Sequence, residues 1–167
     1  MRSRSDMPRV NPASFREAAS RFATGVAVLT ALDEHGSVCG MTANSFVTVS
    51  LSPPTVLVSV MPGRMLRAIS ATGRYCVNVL PDHGRDLSRH FASQPNTGAA
   101  PHYEIVDGLP RLSGCMAWFA CEVTRHVEVS DHTLIIAEVS GCDHRDSTPL
   151  VFFSSRYHLG PGVPVDR

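Results

Sequence analysis

Thr42-Ala43-Asn44-Ser45 sets three hydrogen-bonding side chains nearly in a row, inside a stretch otherwise apolar enough to be buried. Such a cluster is either a strand end or bulge whose Asn and Ser satisfy local backbone, or a binding edge where hydroxyls, an amide and main-chain groups meet the polar parts of a ligand. A second feature is Ser59-Val60-Met61-Pro62-Gly63-Arg64-Met65, which reads as a strand, a tight turn and a helix start. Free N–H groups at a helix start favour an anion, and Arg64 adds a planar fork for phosphate; a merely solvated Arg64 is the alternative. The third is Ser130-Asp131-His132. A His beside an Asp in a turn can donate a proton or pack on a ligand, or it can be a polar turn and nothing more. Cys142-Asp143-His144 carries metal-capable side chains, but neighbours in a strand point to opposite faces. The eight histidines show no His-Glu-x-x-His spacing, so no metal site is expected.

Composition removes other chemistries. All 15 basic residues of the Lys+Arg count are arginines. Without lysine there is no Schiff base and no phosphate loop ending in Lys; any phosphate must be held by Arg, hydroxyls or backbone N–H. No Gly-x-Ser-x-Gly occurs. The five cysteines are odd in number, lack Cys-x-x-Cys spacing and mostly sit in apolar runs, so they are expected to be plain buried thiols. A formal net charge of zero over 167 residues leaves no overall basic field for nucleic acid. No apolar run approaches the ~20 residues of a membrane helix, so no membrane contact is expected. The polar, arginine-bearing start lacks the apolar core of a signal peptide, which predicts a loose tail over 1–11 in a cytoplasmic protein.

The elements that must position these residues follow in order. Asn11-Pro12 opens a helix, with Phe15, Ala18, Ala19 and Phe22 on one apolar face and Gly25 ending it. Val26 to Leu32 and Ser37 to about Ser50 are predicted as a β-hairpin around Asp33-Glu34-His35-Gly36. Thr55 to Met61 is a buried strand. Arg64 to Thr72 is a helix with Leu66 and Ile69 inward and Gly73 as its cap. Tyr75 to Leu80 is a strand and Asp82 to Ser93 a helix with Leu87 and Phe91 on one face. Gln94 to His102 is the longest structureless piece and the candidate mobile loop over a site. Cys121 to Val129 alternates, with Val123, Val127 and Val129 on one face and Arg125 breaking the row. Thr133 to Val139 runs back, and Leu150 to Phe153 is the last strand. Hairpin connections and few helices predict a mainly β protein, an antiparallel barrel with short peripheral helices, as one domain over 12–160 followed by a tail over 161–167.

In order, Phe22-Ala-Thr-Gly-Val-Ala-Val-Leu-Thr30, Gly40-Met-Thr-Ala-Asn-Ser-Phe46, Val49-Ser-Leu-Ser-Pro-Pro54, Tyr75-Cys-Val-Asn-Val-Leu80, Leu87-Ser-Arg-His-Phe-Ala92 and Asp131-His132 resemble the flavin reductase family, the small reductases of two-component flavin-dependent monooxygenases. The likeness spans roughly Phe15 to Leu159. It implies an antiparallel split β-barrel, a homodimer, and an NAD(P)H-dependent reduction of FAD or FMN that feeds a partner monooxygenase. NADH and FAD are the favoured members of the two pairs. By the same resemblance Met41, Thr42, Ala43, Asn44 and Ser45 would meet the flavin ring and ribityl chain. Ser59, Val60, Met61, Arg64, Met65 and Leu66 would wrap its phosphate, and Ser88, Arg89 and Phe91 would lie against it. His132 and Tyr157 would stand at the nicotinamide, with His132 the one candidate for a catalytic role. Two departures stand out. Met61, Gly63 and Met65 replace hydroxyl residues common in the family's phosphate loop, which puts the burden on Arg64 and backbone N–H. Ser130 stands where many members have Gly. The rivals are a flavin- or haem-binding module without turnover, and a different oxidoreductase on the same barrel.

Overall fold

The computed structural model describes residues 10–94 and 98–160; the tails and part of the expected loop (95–97) lie outside them. Among the described residues, twelve strands and three short helices follow in the order α1 (Pro12–Ala19), β1 (Thr24–Gly25), β2 (Ala27–Leu32), β3 (Val38–Ala43), β4 (Val47–Leu51), β5 (Pro54–Val60), α2 (Arg64–Thr72), β6 (Arg74–Val79), a 3-10 turn and α3 (Arg85–Phe91), β7 (Tyr103–Val106), β8 (Leu109–Leu112), β9 (Ala117–Val129), β10 (His132–His144), β11 (Leu150–Phe153) and β12 (Arg156–Leu159).

The main sheet is antiparallel, with strand order β3-β2-β6-β9-β10-β5-β4. Laid flat, its edge strands would stand about 29 Å apart at ~4.8 Å per strand. Yet the end of β3 and the start of β4 are joined only by Asn44, Ser45 and Phe46, a link that reaches about 14 Å at most. The sheet must therefore curl until its edges nearly meet. They do not hydrogen-bond to each other, so the barrel is split. Ser45 bridges toward the far side: its Oγ accepts from the Ser59 N–H at 3.0 Å and donates to the Ser59 carbonyl at 3.1 Å. The expected single strand from Ser37 to Ser50 is thus two strands on opposite edges, broken where the polar cluster sits.

Strand β2 explains its own uniform apolarity. Ala27, Leu29 and Ala31 face the barrel core with Val56, Val58, Ile135 and Ala137. Val28, with Val26 just before the strand, faces a second cluster with Leu80, Leu112 and Leu150. A strand buried on both faces reads as a run, not an alternation. Helix α2 packs on the barrel through Met65, Ala68 and Ile69, and Gly73 caps it at φ 68°. Leu66 is only partly buried, so Met65 takes the inward place expected for it.

Other expectations are corrected. Helix α1 has the anticipated Asn11 cap, whose Oδ1 accepts from Ala13 and Ser14 N–H at 3.0 and 2.9 Å. It stops at Ala19 and buries nothing; Phe15 and Phe22 are exposed. In β9, Arg125 pairs with Ile136 and Val123 with Ala137, so Thr124 is an extra residue. That bulge inverts the alternation, and Val127 and Val129 face opposite to Val123. A further strand, β12, follows the one expected to be last, and the β7–β8 hairpin was not foreseen. Ser130, in the β9–β10 turn, has φ 53°, the left-handed geometry for which glycine is the easier choice.

Candidate functional site

Helix α3 lies across the end of β3, and the β11–β12 hairpin closes on both. Between them is a cavity of about 580 Å³. Strand β3 and its exit supply Thr42, Ala43 and Asn44. The helix supplies Arg85, Ser88, Arg89 and, just past its end, Ala92, positions i, i+3, i+4 and i+7 on one face. The hairpin supplies Phe152, Ser155, Arg156 and Tyr157, and Gln94 completes the rim.

Hydrogen bonds fix this wall. Thr42 Oγ1 donates to the Ser88 carbonyl at 2.6 Å. Ser88 Oγ, fully buried, lies 2.9 Å from the Tyr157 hydroxyl. The Phe91 ring packs against Gly40 and on the second core cluster, which draws the helix onto the strand. The Arg89 guanidinium sits over the Tyr157 ring at 5.9 Å, and its Nε is buried without a partner. Among the described residues, three guanidinium groups and no carboxylate line the cavity.

Of the residues expected from sequence, Thr42, Ala43, Asn44, Ser88, Arg89 and Tyr157 come together here. Ser45 and Ser59 are occupied with each other, as above. Met41 packs against the barrel core, and Phe91 is a wall support on Gly40, outside the cavity lining. The Ser59 to Leu66 stretch is not assembled around this cavity. Val60 and Met65 are core side chains, Leu66 packs on the core, and Met61 is exposed. Arg64 donates to Asp33 Oδ2 at 2.8 Å and lines a separate cleft with Arg67; the bond holds the Asp33 carboxyl below its usual range. Arg64, which the resemblance assigns to the phosphate, thus stands outside this cavity, in an exposed ion pair. His132 is also outside the lining. Its Nδ1 lies 2.8 Å from Asp131 Oδ1 at the β9–β10 tip, and that bond lowers the Asp131 carboxyl.

Arg85, Gln94, Phe152, Ser155 and Arg156 were missed. The helical spacing of Arg85, Ser88, Arg89 and Ala92 was a usable signal for the first. For the last two the signal was the two-residue Ser154-Ser155 step between aromatic strands. The thiols give no nucleophile at this site: burial pushes Cys76 and Cys121 up to about 12 and also raises Cys39 and Cys115.

A second, apolar groove of about 400 Å³ adjoins the cavity and shares Val26, Ala43 and Asn44 with it. It is lined by Phe22, Phe46 and Val47, and beyond it β4 exposes Val49 and Leu51. Thr24 Oγ1 is buried there without a partner.

The class this site belongs to is that of a split barrel with a polar, cationic cavity beside its open seam, suited to an anionic ligand. Residues 19–160 match the family described as flavin reductase like domain, and the chain belongs to that family: it is a flavin reductase. It is 45% identical over 161 residues, 94% of each chain, to the NADH-dependent flavin reductase StyB of Pseudomonas fluorescens. The styrene monooxygenase flavin reductase SMOB of Pseudomonas putida superposes with a TM-score of 0.84 at 48% identity, covering 90% of this chain and 99% of that one. The NADH:FAD oxidoreductase SgcE6 of Streptomyces globisporus, in complex with NAD and FAD fragments, superposes with a TM-score of 0.83 at 28% identity, covering 96% and 100%.

Proposed function

We propose that the cavity between α3, β3 and the β11–β12 hairpin is where this reductase brings flavin and a nicotinamide dinucleotide together. NADH is the donor and FAD or FMN the acceptor; reduced flavin leaves for a monooxygenase component. The observation that carries this is the donor set. An amide, hydroxyls and three guanidinium groups, of which only Arg85 has an ion pair (a loose, exposed one with Asp86), surround a space of about 580 Å³, which suits a heteroaromatic ring with carbonyl and ring-nitrogen edges on a phosphate-bearing tail. The names of the relatives support NADH and flavin as the pair.

When bound, the two cofactors carry the redox chemistry themselves. The chain's task is to hold two flat rings with reacting atoms about 3–3.5 Å apart. Thr42 and Tyr157, tied through Ser88, fix the wall against which a ring can lie. Asn44 sits where cavity and groove meet and offers its amide to a ring edge. Ala43 and Phe152 exclude water. No general acid is needed, because the balancing proton can come from solvent.

The purified protein is expected to oxidise NADH steadily only when flavin is added. Asn44→Ala should weaken apparent flavin affinity by a few-fold to about tenfold, with little change at saturation. Flavin-independent turnover, or no turnover with any flavin, would return the choice to the rival readings of a binding module or a different oxidoreductase.

We further infer that the protein works as a homodimer. Phe22 at the groove and Val47, Val49 and Leu51 on edge strand β4 are 52% to 91% exposed, apolar surface of the kind a protein–protein contact covers. Light scattering or sedimentation should give twice the monomer mass at micromolar concentration. A clean monomer, or a dimer untouched by Val47→Glu with Leu51→Glu, would overturn the assignment of this edge.

A further inference from the structure

We propose that Arg85, Arg89 and Arg156 form a clamp for the diphosphate group of a dinucleotide. The proposal rests on the cavity being the flavin–nicotinamide site. The three side chains come from two elements and line one cavity. Arg85 and Arg89 are one turn apart on α3, and Arg156 approaches from the β11–β12 hairpin.

Three like charges facing one space repel, and the wall does not neutralise them. Arg89 Nε is buried without a hydrogen-bond partner, and its guanidinium rests over the Tyr157 ring. Arg156 has no ion pair among the described residues. Arg85 makes only a loose pair with the neighbouring Asp86, 3.4 Å apart, with both side chains more than half exposed, where such pairs are worth little. Asp82 and Asp86 line a separate cleft, together with Arg85 and Tyr157. An anion entering the cavity thus meets a buried Arg89 Nε without a partner, and two further guanidinium groups of which only Arg85 has a weak competing pair.

The hairpin that delivers Arg156 is held at a conformational cost. Ser154 and Ser155 are the two residues between β11 and β12, with φ of 51° and 60°. This is a primed turn for which Asn-Gly is the easy sequence, and backbone kept in a disfavoured region often serves a site. The spread of the cations selects the ligand. Side chains one turn apart on a helix start about 5–6 Å from each other, and the third comes from across the cavity. Such a spacing fits an elongated dianion better than a single phosphate. Both FAD and NADH carry that diphosphate, so the shared chemistry is the ADP-ribose-like half of either.

The test is calorimetric titration of the full chain with ADP-ribose and AMP, alongside quenching of riboflavin fluorescence. Wild type should bind ADP-ribose. Arg156→Gln and Arg89→Gln should each weaken it by about tenfold or more, the loss expected of a charge-assisted contact, while AMP loses less. Arg67→Gln, an exposed arginine in the separate cleft, should leave the affinity unchanged. No binding of ADP-ribose by wild type, or equal affinity in wild type and Arg156→Gln, overturns the clamp. Riboflavin carries no phosphate, so it tests the underlying cavity separately: Asn44→Ala should reduce its quenching and Arg156→Gln should not. If Asn44→Ala leaves riboflavin binding intact, the cavity assignment fails as well. Competition assigns the source. ADP-ribose that displaces NAD+ while FAD stays bound places the nicotinamide dinucleotide in the clamp; displacement of FAD but not FMN places FAD there.

Discussion

Asn78→Ala is expected to lower the stability of the fold by about 3–5 kcal/mol, without altering any residue of the cavity lining. Asn78 is fully buried in β6. Its amide donates to the Val28 carbonyl at 3.0 Å and to Thr30 Oγ1 at 2.9 Å, and its carbonyl accepts from the Leu112 N–H at 2.8 Å. Thr30 in turn donates to the Pro110 carbonyl. This network ties the β7–β8 hairpin to the outer face of the barrel. Alanine leaves backbone groups buried without partners and opens a cavity beside Val28. The apolar swap Asn78→Leu should not rescue it, because the Leu112 N–H and Val28 carbonyl remain polar whatever stands at 78. Denaturant unfolding at fixed protomer concentration measures the loss. A drop below about 1 kcal/mol would mean that water or backbone rearrangement satisfies these groups. Full recovery by leucine would make the effect one of packing.

The second large effect is expected at Gly40, where the consequence reaches the cavity. A Cβ there would lie 2.4 Å from Phe91 Cε1 and 2.5 Å from Cδ1. In Gly40→Ala the ring must retreat by about 1 Å to reach ordinary contact. Phe91 is the last residue of α3, so the helix moves with it. Two residues along the same face of β3, the Thr42 hydroxyl reaches the Ser88 carbonyl at 2.6 Å, and that bond is lost first. Overpacking of this kind costs about 1–3 kcal/mol. Because Ser88, Arg89 and Tyr157 lose their registration with Asn44, the Michaelis constants for flavin and NADH should rise about tenfold or more, an amount in line with a displacement of this size near a reacting pair. Phe91→Leu on its own should be milder, and combined with Gly40→Ala it should recover much of the loss, giving a coupling well outside additivity. Native Michaelis constants in Gly40→Ala would show that the helix position does not govern the site.

How much of this was legible in the residues differs by element. The cap at Asn11, helix α2 with its Gly73 stop, and strands β2, β5, β6 and β10 follow from local signals: apolar periodicity, turn chemistry and capping act over a few residues and survive any tertiary context. The ordered motifs from Phe22 to His132 carried the family and with it the split barrel, and the same resemblance pointed to Thr42, Asn44, Ser88, Arg89 and Tyr157, which the fold brings to one cavity. The break at Asn44 to Phe46 was not legible. A polar cluster in an apolar run looks alike in a continuous strand and in a link between opposite barrel edges; only closure of the seven-stranded sheet distinguishes them. The face of Val127 and Val129 was misjudged because one bulged residue, Thr124, inverts a period-2 pattern and has no composition of its own.

The sequence by itself determined which chemistry was open: without lysine, any phosphate must be held by arginine, hydroxyls or backbone N–H groups, and the family resemblance made a flavin the expected bearer of one. It also determined that a barrel would carry them. Only the tertiary structure decided which arginines share one cavity. Arg64 sits in a motif-like stretch but folds onto Asp33, 31 residues earlier in the chain, while Arg156, in a segment with no motif, is carried by a hairpin onto α3. Charge pairing is settled by distances through space, and a linear pattern of residue types contains no such distances.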